Sequence, residues 1–220
     1  GGHNGSLYDL GFAGRYWSAS PGSHDAYFLF FNYDGVVTPS SDFTRAYGMS
    51  VRCVKEGSQS SGDHSGDQLL ASSASDLGTD GTANSYIVSK SGTYKFKPVK
   101  GNSSTSVGSV SSVEVLWESF GTDVTPNVGD LIKTVNYDAG YVVFATPSSF
   151  TRGNAVIAAK DADGKILWSW HIWLTDQPQG QEYYNGAGTM MDRNLGATSA
   201  TPGDVGALGL LYQWGRKDPF

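Results

Sequence analysis

The sequence predicts a mostly β protein: an immunoglobulin-like sandwich in the middle of the chain, flanked by two further β-rich segments. Three observations lead there. The 220 residues include 29 glycines, 12 tyrosines and 6 tryptophans but only 16% charged residues, a composition that suits sheets and tight turns better than helices. No window of ten or more residues sustains a 3.6-residue apolar period. From Ala83 onward, short apolar runs recur at even spacing with turn signals between them, the pattern of a sandwich.

Taken in order, residues 1–56 form the first segment. Gly14–Ser20 has a strand-like centre, and Ala26-Tyr27-Phe28-Leu29-Phe30-Phe31 is a continuous apolar run of the kind found in buried strands. Asn32-Tyr33-Asp34-Gly35 carries the Asp-Gly hairpin signal, with Val36–Thr38 as the return strand. Gly48–Val54 alternates, with Met49, Val51 and Cys53 on one face, and reads as the segment's last strand. Residues 57–82 read as a flexible linker: Gly57–Asp67 has almost nothing to bury and does not offset its ordering entropy. Leu69, Leu70 and Leu77 are too few for a core.

Residues 83–178 carry seven expected strands: Ser85–Val88, Thr93–Lys97, Val113–Glu118, Leu131–Tyr137, Tyr141–Thr146, Asn154–Lys160 and Lys165–Leu174. Ser91-Gly92, Pro126-Asn127, Asp138-Ala139-Gly140 and Asp161-Ala162-Asp163-Gly164 are the turns. On the last strand Trp168, Trp170, Ile172 and Leu174 share one face, which is assigned to the core. Leu167, Ser169, His171 and Trp173 then point outward or toward a neighbouring segment. In residues 179–220, Ala187–Gly196 reads as a strand running into a turn, and Ala207–Gly215 as a short helix or buried strand.

Charge narrows the function. The net charge is −6 with a pI near 5.0, and the longest basic clusters are pairs such as Arg216-Lys217. Nucleic-acid binding, which needs basic patches to displace counterions, is not expected. No apolar run approaches the roughly 20 residues of a membrane-spanning helix. A lone Cys53 offers neither a disulfide framework nor an internal metal pair. The chain begins without Met and stops soon after Trp214-Gly215-Arg216-Lys217, so it reads as a piece of a longer polypeptide, with low charge and abundant Ser, Thr and Gly pointing outside the cell.

Each candidate site has a bland counterpart. Asp161-Ala162-Asp163-Gly164 has a calcium-loop flavour but lacks the late Glu of a full loop, so a hairpin turn is expected. His3, His24, His64 and His171 show no ligand spacing, and His171 is expected at a surface or interface with local hydrogen bonds. Cys53 is expected as a small buried hydrophobe rather than a nucleophile. Glu114 and Glu118, four apart on one strand, would sit on one face about 13 Å apart. That is too far for a glycosidase carboxylate pair. Among Tyr8, Tyr16, Trp17, Tyr27, Tyr33 and Tyr47, most belong to a core, and Tyr33 and Tyr47 are the aromatics expected on a binding face. No catalytic residue, metal ligand or cofactor is expected.

The two ends carry a resemblance. Met191-Asp192-Arg193-Asn194-Leu195-Gly196-Ala197 followed by Leu211-Tyr212-Gln213-Trp214-Gly215-Arg216 resembles the opening of the Fibrobacter succinogenes major paralogous domain. Tyr16-Trp17-Ser18-Ala19-Ser20 and Tyr47-Gly48-Met49-Ser50-Val51-Arg52-Cys53-Val54 resemble its close. Together the two pieces cover under half of the chain. The middle segment, through Ala83-Asn84-Ser85-Tyr86-Ile87-Val88 and Trp168-Ser169-Trp170-His171-Ile172-Trp173, is similar to the β-rich module that often precedes this domain in Bacteroidetes surface proteins.

The resemblance implies partial C-type-lectin-like segments at 1–56 and 179–220, secretion and no enzymatic activity, and it assigns no site residues. Here the closing half comes first and the opening half last, as in a segment cut from an array. First and last strands pair in lectin-like folds, so Met190–Arg193 is expected to meet Ser50–Val54. Closing that loop costs roughly 4 kcal/mol, which a few buried aromatics at about 1.5–3 kcal/mol each offset. The functional expectation is a non-catalytic adhesion or ligand-binding protein at the cell surface, with a glycan or protein ligand. The competing expectations are a stalk or subunit of a fimbria-like assembly, joined homotypically through strand edges, and a component of a surface polysaccharide-processing system.

Overall fold

The computed structural model describes residues 12–22, 24–52, 54–55, 71–184 and 188–219. The protein is mostly β with several sheets and almost no helix. In chain order the strands are β1 (Ala13–Pro21), β2 (Ala26–Asn32), β3 (Val37–Phe43), β4 (Gly48–Met49), β5 (Val54–Lys55), β6 (Ser75–Asp76), β7 (Ser85–Val88) and β8 (Thr93–Phe96). They continue with β9 (Ser112–Ser119), β10 (Thr134–Asp138), β11 (Tyr141–Ala145), β12 (Gly153–Lys160), β13 (Ile166–Leu174), β14 (Gly180–Glu182), β15 (Thr189–Met191) and β16 (Tyr212–Gln213). The chain divides into two compact units, one made of residues 1–55 with 179–220, the other of residues 56–178.

The second unit holds two four-stranded sheets, ordered β10-β11-β8-β6 and β7-β13-β12-β9. Their facing side chains form one core: Tyr94, Phe96, Val142 and Phe144 of the first sheet meet Tyr86, Val88, Ala155, Ile157, Ala159, Trp170, Ile172 and Leu174 of the second. Phe96 sits at its centre, 4.9 Å from the Tyr86 ring, 5.1 Å from Trp170 and 6.3 Å from Phe144. The Trp170 indole N–H donates to the Val99 carbonyl at 3.2 Å, so the largest core side chain leaves no polar atom unmet. Turns fall where the sequence places them. Ala139 and Gly140 take positive φ between β10 and β11, and Asp161 Oδ1 accepts from the Asp163 and Lys165 amides in the β12–β13 turn. That carboxylate is a turn-former.

Four expectations change. Residues 71–82 are not linker: β6 pairs in parallel with β8, Ala71 and Ala74 are buried, and Leu77 packs on the core. Two polar residues joined by backbone bonds leave no periodic trace in a sequence. The rest of that expected linker, 57–70, lies outside the described residues.

Glu114 and Glu118 do not share a face. A bulge leaves Leu116 without a partner on β12, so Glu118 stands opposite core-facing Ala155 while Glu114 stands opposite Ala158. Glu118 accepts backbone N–H bonds from Gly129, Leu131 and Ile132, and Glu114 pairs with Lys160 at 2.6 Å.

His171 is fully buried, with Ser169 and Trp173 beside it and Val156 and Ala158 on β12. β12 and β13 are the two central strands of their sheet, and central strands buried on both faces lose the apolar-in, polar-out alternation. Gly48–Val54, read as one strand, is broken into β4, a bridge from Ser50 to Tyr16, and β5. Cys53, placed in that strand as a buried hydrophobe, lies outside the described residues, as do His3, Tyr8 and His64.

The first unit contains an antiparallel meander β1-β2-β3, a sheet β14-β15-β5 and the pair β16-β4. The last two join the chain's ends. Met190 lies opposite Val54 and Thr189 opposite Lys55, so the expected meeting of residues 190–193 with 50–54 takes place two residues off its expected centre. Tyr212 lies opposite Met49. Trp17 donates its indole N–H to the Tyr212 carbonyl at 3.1 Å, and Trp214 donates to the Ser18 carbonyl at 3.2 Å. Between them the Leu195 amide donates to the Val51 carbonyl. Within Ala207–Gly215, expected as a short helix or buried strand, Tyr212–Gln213 form the short strand β16, and a 3-10 turn at Val205–Ala207, capped by Asp204, precedes it.

Candidate functional site

A polar surface of the first unit is built around Arg52. Its guanidinium donates through Nε and Nη2 to Asn194 Oδ1 at 3.3 and 3.2 Å, and lies 5.5 Å from the centre of the Tyr16 ring. Asn194 is itself buried and donates to the Leu208 carbonyl at 3.1 Å. The arginine is therefore held on one side by an amide fixed in the 188–219 segment and on the other by a ring of β1, an arrangement that suits a planar guanidinium better than an ammonium.

Beside it, Arg52, Gln181, Glu182, Tyr183, Asp192 and Ala200 line an open depression of about 460 Å³. Asp192 holds buried Arg193 through two bonds of 2.8 and 3.0 Å. Gln181 and Glu182 stand on β14, and Tyr183 follows it, half exposed. The lining thus offers a fork of donors, an amide that both donates and accepts, carboxylate acceptors and an aromatic face.

An aromatic strip runs from Arg52 across the meander. Tyr16 stacks on Phe31 at 5.8 Å with ring planes 18° apart, and the Phe31 ring covers Gly14, where an added Cβ would come within 2.4 Å of it. Beyond Phe31, Tyr33 is 74% exposed and meets the edge of the exposed Phe12 ring at 5.8 Å, with Val36 and Val37 also exposed nearby in sequence.

The structure separates the two tyrosines singled out in the sequence. Tyr33 is in the β2–β3 turn, whereas Tyr47 follows β3, half buried with its ring 4.6 Å from that of Phe43. The seven residues of β3 between them span roughly 20 Å at about 3.3 Å per residue. Arg52, Gln181 and Tyr183 were not among the sequence candidates; the mixed run Gln181-Glu182-Tyr183-Tyr184 after a proline is the trace that points to them.

The second unit has one arrangement with a catalytic look. Ser85 Oγ lies 2.8 Å from His171 Nδ1, and His171 Nε2 lies 2.9 Å from Asn154 Oδ1, the order nucleophile, base and orienting group. Burial lowers the His171 pKa from 6.5 to about 3, so the imidazole is neutral. It accepts the Ser85 hydroxyl proton at Nδ1 and donates from Nε2 to Asn154. With His171 at 0% exposure no substrate reaches it, and the three side chains cross-link strands β7, β13 and β12 instead. Among the described residues no group of three or more His, Cys, Asp or Glu side chains converges as a metal site would. No family model, curated protein or solved structure matches this chain.

Proposed function

We propose that this chain is a non-catalytic ligand-binding module of a secreted or cell-surface protein, and that it binds through its first unit. In this reading residues 12–55 and 179–219 are the two parts of a C-type-lectin-like domain, and the second unit is an immunoglobulin-like spacer of the kind found in Bacteroidetes surface proteins. The observation that carries the reading is the Arg52 depression opening beside the Tyr16–Phe31 stack. Rigid aromatics next to fixed, mixed donors and acceptors are what a weakly charged, hydroxyl-rich ligand requires, and a glycan fits better than an acidic polymer given the −6 charge.

The test is binding of the whole chain to an array of surface glycans, with extracellular proteins printed alongside. Tyr183→Ala and Gln181→Ala, at exposed positions, are expected to weaken the strongest interaction at least tenfold while leaving the unfolding midpoint unchanged. Binding that survives both substitutions, or an array with neither glycan nor protein bound, removes this reading. A bound protein with no bound glycan replaces the ligand class and keeps the site.

A further inference from the structure

The first unit is assembled from the two ends of one chain, and every contact joining those ends is made by groups that any second copy also carries. We infer that this protein associates with a second copy of itself by exchanging ends, residues 179–219 of one molecule docking on residues 12–55 of the other. This inference is independent of any ligand.

Three features support it. Each end has strand pairing of its own: β1-β2-β3 is a complete meander within residues 13–43, and β14-β15 is a hairpin within 180–191. The strand pairing between the ends is short. β15 meets β5 and β16 meets β4 over two residue pairs each, reinforced by the two indole donations and by Arg45 lying 4.6 Å from the centre of the Trp214 ring. The stretch connecting the ends contains a unit that is compact in itself, with its own core.

Exchange therefore conserves the contacts and loses only the advantage of having both partners on one chain. For tethered partners that advantage is an effective concentration, about 1 mM for a short flexible linker and lower for a longer connection, and here the connection contains a folded unit. Two copies that exchange reciprocally close a two-fold dimer; copies that exchange in one direction extend into a chain.

The test uses the full chain in two versions. One carries Trp17→Ala with Arg52→Ala, damaging the docking face of residues 12–55; the other carries Trp214→Ala, damaging residues 179–219. Each alone has a weakened tie within itself and with its own copies. Mixed at about 1 mM, they retain one undamaged face each, and native mass spectrometry is expected to show mixed dimers at least tenfold over either homodimer. Mixed dimers no more abundant than chance, or monomers alone, overturn the inference.

Should a variant fail to fold, the unaltered chain decides. Refolded at about 1 mM it is expected to give dimers by light scattering that persist for hours after dilution, and refolded at micromolar concentration it is expected to give monomers. Monomers at both concentrations overturn the inference as well.

Discussion

His171 makes the second unit sensitive to acid. The perturbation is a fall in pH from 7 to 4.5, compared between the protein and its His171→Gln variant. In the folded state burial holds the imidazole pKa at about 3 against 6.5 in an open chain. A folded pKa below the unfolded one means that the unfolded chain takes up the proton first. The stabilisation is complete above pH 6.5 and is lost as pH falls toward 3. Each pH unit within that window removes about 1.4 kcal/mol, giving about 3 kcal/mol by pH 4.5 and about 5 kcal/mol in full. Against the 5–15 kcal/mol typical of a folded domain, that is a large fraction.

Glutamine keeps a donor and an acceptor for Asn154 and Ser85 but does not titrate. Other carboxylates titrate alike in both proteins and cancel in the difference. Urea unfolding followed by tryptophan fluorescence at pH 7, 6, 5.5 and 4.5 measures that difference. The variant is expected to be the less stable at pH 7, by about 1–3 kcal/mol for an imperfect hydrogen-bond fit, and the gap is expected to close or reverse by pH 4.5. Parallel stability curves across the range would show that His171 is not held neutral and would refute the argument.

Three further outcomes follow from single contacts. Glu118→Gln replaces one carboxylate oxygen with an amide donor, setting it against the Gly129 amide on Oε2 or the Leu131 and Ile132 amides on Oε1, and is expected to cost about 1–3 kcal/mol by urea unfolding, with the m-value unchanged. Gly153→Ala brings a methyl to 2.5 Å from Leu131 Cδ1 and 2.7 Å from the Ser119 carbonyl; one neighbour is backbone, and a loss of about 1–3 kcal/mol is expected in the same assay. Trp17→Phe keeps a ring but removes the donor to the Tyr212 carbonyl. It is expected to speed amide exchange at residues 48–50 and 211–213 while leaving β12 and β13 unchanged, at a local cost of about 1 kcal/mol; uniform exchange rates would contradict it.

The second unit was legible in the sequence because its strands are bounded by residues with strong backbone preferences. β7 and β8 were placed to within a residue, and β11, β12 and β13 likewise, each ending at a turn such as Asp138-Ala139-Gly140 or Asp161–Gly164. What escaped depended on distant partners. β6 has no pattern of its own and exists through its backbone bonds to β8. The bulge at Leu116 that turns Glu118 inward is set by the register of β12. Residues 48–54 alternate like one strand but serve four partners, Tyr212, Tyr16, Leu195 and Met190, at successive steps. At the candidate site, Tyr33 could be marked from its turn, whereas Arg52 acquires its setting from Asn194, 142 residues away.

A buried histidine on a central strand of its sheet has a consequence that an apolar residue of similar size lacks. β7 is four residues long and pairs with β13 in parallel, with Ser85 opposite His171 and Tyr86 opposite Ile172. Short parallel pairings are weakly specified by apolar packing alone, because a slip costs few contacts. A slip of one residue here would set Tyr86 opposite His171, leaving Nδ1 without its donor in a dry interior at a cost of about 1–3 kcal/mol. It would also turn the Tyr86 ring away from Phe96, 4.9 Å distant in the core. A slip of two would restore the face of the aromatic residues but not the serine. On β12, Asn154 lies diagonally from His171 and tests the register of that strand in the same way. The polar chain from Ser85 through His171 to Asn154 therefore penalises registers that hydrophobic burial would tolerate, and the acid sensitivity argued above is the same property seen from the side of the proton.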